Sequence, residues 1–318
     1  MKKIDPQNKL CIYLDQFVIS DILEGKNPLW IEIKDLLELN FSVDKIYCPL
    51  SVEHILETVG KNFIDAKEHD IYFRKISDNY ILKSEPFLTA QLISSLIRNN
   101  KKTINTFLAK SSLKNMVDLH SKVNSDYNKF NNGMTQTLLP QNDLRKIINN
   151  KISTNVEAEM MNAIKAFEVS KFKDRLTEYV TSKSIRIRPD NFGEHKVPNW
   201  IDQLLYQLTY KHQFKEKEFQ SLLKEIATNG FNRIPTLNIK FSLGAYIAIK
   251  NKQENSGDHI DVMRISSYLF STDIFFTDKK RKHEICELGL DRKYNTLVFS
   301  GVKDDLLQFI DLLKKISS

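Results

Sequence analysis

The apolar positions of this chain change rhythm twice. LCIYL at 10–14 is a continuous apolar run and not an alternating one, which predicts a central strand covered on both faces. Asp15 ends the run, and FVISDILEG then has helical spacing with Gly25 as its stop. A second helix is expected from Trp30 to Leu39, followed by a second apolar run, KIYCPL at 45–50. Ser51 is a good N-cap for the helix VEHILETVG. Strand, helices, strand and helix in that order predict the start of a parallel α/β sheet.

From about residue 60 to residue 230 the pattern becomes helical. TAQLISSLIRNNKKTINTFLAK, NVEAEMMNAIKAFEVSKFKDRL and NWIDQLLYQLTYKHQFKEKEFQSLLKEIA carry apolar residues every three or four positions. NSDYNKFNNGMTQTLLPQND (124–143) and SIRIRPDNFGEHKVP (184–198) read as loops from their Asn, Gly and Pro content. After Pro235 the α/β texture returns, with helices expected around 242–252 and 259–270, strands at DIFFT (273–277) and NTLVFSG (295–301), and a closing amphipathic helix in KDDLLQFIDLLKKI. The expected fold class is α/β. Residues 1–60 and 235–318 form one core with a central parallel sheet, interrupted by a large all-helical insertion over 61–234.

The chain has 318 residues, enough for one large core with an insertion. Lys and Arg exceed Asp and Glu, 47 to 40, a net charge of +7 that favours an anionic partner such as nucleic acid. Many of those lysines alternate with acids, as on solvated helix faces. The three cysteines lack CxxC spacing, and Cys11 and Cys48 lie inside apolar runs, which argues against a disulfide framework or a zinc site. The N-terminus has no long apolar segment, and no run approaches the roughly 18 residues of a membrane span. A soluble, reduced, cytoplasmic protein without membrane contact is expected.

The candidate chemistry lies in the acids. Asp258, Asp261, Asp273 and Asp278 flank an apolar stretch, and acids brought together repel unless something positive sits among them. Ligands of parallel α/β sheets bind beyond the carboxyl ends of the strands. Asp15 follows the first strand and Asp278 follows FFT; Glu57 lies in the helix after the second strand, and Asp261 opens the helix before FFT. Four carboxylates from four segments would meet at one sheet edge and suit a hard divalent cation, Mg²⁺ or Mn²⁺. Each acid also has a structural reading. Asp15 can cap the following helix, Asp258 and Asp261 have capping-box spacing, and Glu53 shares a helix face with Glu57, so either could point inward, with Glu57 preferred because it lies further into the apolar part of the pattern. Asp273 precedes its strand and reads as a turn residue.

The ordered set YLDQF (13–17), SVEHILE (51–57), DVMRISSYL (261–269) and FFTDKK (275–280) resembles PIN-like nuclease domains. The resemblance covers roughly the first 60 and last 85 residues. It implies a PIN-like three-layer fold in which Asp15, Glu57, Asp261 and Asp278 bind one or two Mg²⁺ or Mn²⁺ ions and hydrolyse phosphodiesters, mostly in RNA. Thr277-Asp278 lacks the intervening residue common in that family. The resemblance also suggests a bacterial toxin or defence effector, with an inhibitory or activating protein partner.

Asp258, Glu53 and His54 are candidates to support the metal ligands. Lys279, Lys280, Arg281 and Lys282 follow the last acid and would touch RNA phosphates without reading sequence, with Arg186 and Arg188 as a second patch. Those cations also read as a solvated loop, and His54 as a packing residue. Other chemistries fail on specific positions. Phe17 stands where a haloacid-type phosphatase needs its second aspartate, and the chain has no GxxxxGK[ST], GxGxxG or GxSxG. The alternative from another class is an inactive PIN-like scaffold that binds RNA or a protein.

Overall fold

The computed structural model describes residues 9–59, 61–100, 106–110, 156–189, 196–198, 200–250 and 255–317. Contacts divide the chain into two compact units, one of Met1–Lys83, Thr103–Asn128 and Tyr268–Ser318, the other of Ser84–Lys102 and Lys129–Ser267. The boundaries differ from those expected from texture: residues 61–83 belong with the sheet, and 235–267 belong with the helices. The expected loop at 124–143 lies outside the described residues.

The first unit is built on four parallel strands. In chain order it runs β1 (Leu10–Leu14), α1 (Gln16–Glu24), α2 (Pro28–Ser42), β2 (Ile46–Tyr47), α3 (Val52–Val59), α4 (Phe63–Ser77) and β3 (Tyr80–Leu82). The second unit supplies α5 (Glu85–Ile97), and β4 (Leu108–Lys110) returns to the first. The second unit continues with α6 (Glu157–Ser182), β5 (Ile187–Pro189), β6 (Lys196–Pro198), α7 (Trp200–Tyr206), a π turn at Gln207–Lys211, α8 (Glu216–Asn229), α9 (Pro235–Lys250) and α10 (Ser256–Tyr268). The first unit closes with β7 (Ile274–Phe276), α11 (Lys279–Glu287), α12 (Leu290–Tyr294), β8 (Leu297–Phe299) and α13 (Lys303–Ser317).

Strand order is β2-β1-β7-β8, every pair parallel. Leu14 stands opposite Phe276, which stands opposite Phe299, so the carboxyl ends of β1, β7 and β8 lie at one level. The continuous apolar run of β1 has its reason here, because both faces of the strand are covered. Ile12 and Leu14 enter a core with Trp30, Leu37, Phe276, Phe309 and Leu313. Tyr13, on the other face, stacks on Phe275 at 4.7 Å, on His54 at 4.9 Å and on Tyr268 at 5.3 Å. α1 stops where Gly25 takes φ 58, a left-handed conformation that costs glycine nothing.

The second unit packs α5 to α9 around Phe172, Leu176, Leu204, Leu222 and Phe231. Two sequence expectations need correction. Residues 184–198 contain an antiparallel β5–β6 pair and are not wholly loop. Leu108–Lys110, read as the end of a helix, pairs antiparallel with β3. The cations from Lys279 to Lys282, for which a solvated loop is the alternative reading, open α11, because Asp278 caps it strongly enough to offset four cations in a first turn where the helix dipole disfavours them.

Candidate metal centre

Two of the expected acids stand at adjacent strand ends. The Asp15 backbone N–H still donates to Phe276 O at 3.2 Å, so the residue sits directly beyond the β1–β7 ladder. Its side chain is 4% exposed and caps α1, with Oδ1 accepting from Gln16 N–H at 2.6 Å. Thr277 is the corresponding residue beyond β7, and its hydroxyl makes a long 3.4 Å contact to Asp15 Oδ2. Asp278 follows, half-buried. Its Oδ1 accepts from Lys280 N–H at 2.7 Å and Arg281 N–H at 3.0 Å, which leaves Oδ2 clear of the cap.

Asp15 and Asp278 can each offer one carboxylate oxygen, with these atoms within 4.8 Å of each other. That span is about twice a metal–oxygen bond of roughly 2.0–2.6 Å, and paired carboxylates suit a hard divalent cation. The donor set therefore fits the ion that the resemblance implies. Asp261 lies in the second turn of α10 and is ion-paired with Arg264, three residues on and 3% exposed. That arginine offsets part of the negative charge and was not singled out from sequence, although its i,i+3 spacing from Asp261 was readable. Asp258 is otherwise engaged at the start of α10. Its Oδ2 accepts from Asn255 N–H at 2.9 Å, while Asn255 Oδ1 accepts from Asp258 N–H at 2.8 Å, a reciprocal cap.

On α3 it is Glu53 that is buried, at 2% exposure, and Glu57 is half-buried one turn later and does not group with Asp15 and Asp278. Tyr268 donates to Glu53 Oε2 at 2.8 Å. Burial, and then the Glu53 carboxylate, push the Tyr268 hydroxyl well above its ordinary pKa, so it stays a proton donor. His54 has a structural task. Ser51 N–H donates to His54 Nδ1 at 3.1 Å and His54 N–H to Ser51 Oγ at 3.2 Å, a capping box with histidine in the usual Glu or Gln place. Because Nδ1 accepts, Nε2 carries the proton and donates to Leu14 O at 2.7 Å, tying the start of α3 to the end of β1 beside Asp15.

The cations after Asp278 separate. Lys279 and Lys280 are exposed. Arg281 is 1% exposed and ion-paired with Glu284, and Lys282 is 2.6 Å from Asp305. Arg186, elsewhere, is exposed and ion-paired with Glu178, and the backbone of Arg188 pairs with Val197 in the β5–β6 hairpin.

Comparison with known protein families, with curated proteins and with solved structures gives no match. Among the described residues, no helix is long and apolar enough to cross a membrane.

Proposed function

We propose that this chain is a PIN-like nuclease with a large helical insertion, which hydrolyses RNA phosphodiesters with Mg²⁺ or Mn²⁺ at Asp15 and Asp278, to which the sequence resemblance adds Asp261. The observation that carries the reading is the approach of the Asp15 and Asp278 carboxylates at adjacent strand ends, with oxygens within 4.8 Å. The sequence resemblance supplies the reaction. A bound divalent ion would activate water and stabilise charge on the phosphate. The residues themselves do the rest. Backbone N–H groups of α1 and α11 hold Asp15 and Asp278 as fixed anions. Lys279 and Lys280, exposed directly after Asp278, contact the RNA backbone by charge and are blind to base sequence. Glu57 joins as an outer ligand from α3, and no protein nucleophile is needed. In this reading the protein acts as a toxin or defence effector in the cytoplasm, controlled by a protein partner.

One observation favours a second reading, a metal-free PIN-like scaffold. Asp15 and Asp278 already cap helices, and Asp261 already pairs with Arg264, so each acid has a structural task. Cleavage decides between them. Purified protein is incubated with a mixed RNA pool, with Mn²⁺, Mg²⁺ or EDTA, beside Asp15→Asn and Asp278→Asn. The nuclease reading expects metal-dependent cleavage that falls at least about a hundredfold in each variant. Cleavage that survives EDTA, or survives both substitutions, rejects this site. A folded wild type that binds RNA without cutting it supports the scaffold.

A further inference from the structure

The second unit contains a pocket that the proposed metal centre does not use. It has a volume of about 280 Å³ and opens among α6, the turn after α8, and α9. Its floor is aromatic: Phe231 and Phe241 both line it, with ring centroids 5.1 Å apart and planes 24° from parallel. Phe241 is half-buried, so part of that aromatic surface is available to a ligand. Amides surround the floor. Asn162 and Asn232 are exposed at the rim, and Asn238, 3% exposed, forms the inner wall. Among the described residues of the lining, Lys165 alone is charged.

Gly230, in the lining, ends α8 at φ 54, a conformation that a residue with a side chain adopts only under strain.

We infer that this pocket binds a nucleobase, with the flat ring lying against Phe241 and its polar edge meeting the asparagine amides. The chemistry of the lining selects that class. The exposed amides of Asn162 and Asn232 each offer a donor and an acceptor in one plane, the complement of a base edge, and an apolar floor beside such groups is how proteins hold an unstacked base. The inference goes beyond the nuclease reading, since a free nucleotide and an unstacked base of an RNA strand present the same chemistry.

The test is calorimetry on the full chain in EDTA, which keeps the metal centre silent. The ligands are AMP, GMP, CMP, UMP, ribose 5-phosphate and a short single-stranded RNA, and the variants are Asn232→Ala and Phe241→Ala, with circular dichroism to confirm folding. Asn232 is exposed, so its substitution leaves the fold intact. At least one nucleotide is expected to bind saturably, ribose 5-phosphate is expected not to, and either substitution is expected to weaken binding about tenfold. RNA affinity that falls with the nucleotide affinity assigns the base to a strand; RNA affinity that stays constant assigns it to a free nucleotide. Ribose 5-phosphate binding as tightly as the nucleotides overturns the inference. So does nucleotide binding that neither substitution moves, or no binding by any of these ligands at millimolar concentration.

Discussion

Asp202 and Asp278 are both aspartates next to arginines in sequence or space, and they are used in opposite ways. Asp202, in the second unit, is 0% exposed and its carboxylate is consumed by structure. Arg175 pairs with Oδ1 and donates to Oδ2 from Nε at 3.3 Å, and Arg186 N–H donates to Oδ1 at 2.8 Å, so one buried cation and one strand end balance the acid. Asp278, in the first unit, has no ion pair among the described residues; Arg281, three positions on, pairs with Glu284 instead. Its neighbour in space at the strand ends is Asp15. A buried acid matched by an arginine is an anchor, whereas Asp278, with one oxygen clear of its cap, is in the proposed reading a ligand for an ion.

That contrast is broken most severely by neutralising the anchor. Asp202→Asn leaves the buried Arg175 with only its longer, 3.6 Å pair to the half-buried Glu178, and chemical denaturation is expected to show a loss of about 3 kcal/mol. A loss below about 1 kcal/mol would mean that the second unit does not depend on this pair. Ser51→Ala removes one half of the Ser51–His54 cap at the edge of the site, for an expected loss of about 1 kcal/mol by the same measurement. Asp278→Asn should behave differently from both. Asparagine caps a helix as well as aspartate does, and removing one of two neighbouring charges relieves repulsion. Metal-free stability should therefore hold within about 0.5 kcal/mol or rise, and a loss near that of Asp202→Asn would make Asp278 an anchor too.

Smaller effects sharpen the account. Replacing Lys279 and Lys280 by alanine should lower the slope of log affinity for RNA against log salt by about 1 to 2, without changing sequence preference. An unchanged slope would place the RNA elsewhere. His69 gives a pH signature. Burial, the main cause, lowers its pKa, and Nε2 faces the Ser20 hydroxyl at 3.0 Å with Lys61 beyond it, while Nδ1 faces Asp65 O. The unfolded chain then binds the proton at higher pH than the folded one. The stability is present above the unfolded value near 6.5 and is lost as pH falls through the folded pKa. His69→Gln should flatten that acid limb of the stability profile.

How much of this was readable in advance depended on distance along the chain. β1, the Gly25 stop, β7 and the closing helix follow from local apolar pattern and punctuation, and Asp15 and Asp278 follow from strand ends, which are also local. Where partners are remote, the pattern gave the wrong weight or none. Glu57 looked more inward than Glu53, but Tyr268, 215 positions away, decides that Glu53 is the buried one. α11 is hard to read in the sequence because its first turn carries charges of the unfavourable sign and its cap, Asp278, reads equally as a ligand. The β5–β6 pair and the division into units depend on contacts that no window of sequence contains.

The central claim is that Asp15 and Asp278 form one cation site, and Mn²⁺ binding tests it without requiring a substrate. Electron paramagnetic resonance of the full chain titrated with Mn²⁺ should show saturable loss of the free-ion signal. That loss should be competed by Mg²⁺ and weakened at least about tenfold by Asp278→Asn and by Asp15→Asn. Binding that both variants retain, or a wild type that leaves Mn²⁺ free at millimolar concentration, would contradict the claim and leave the two aspartates as helix caps.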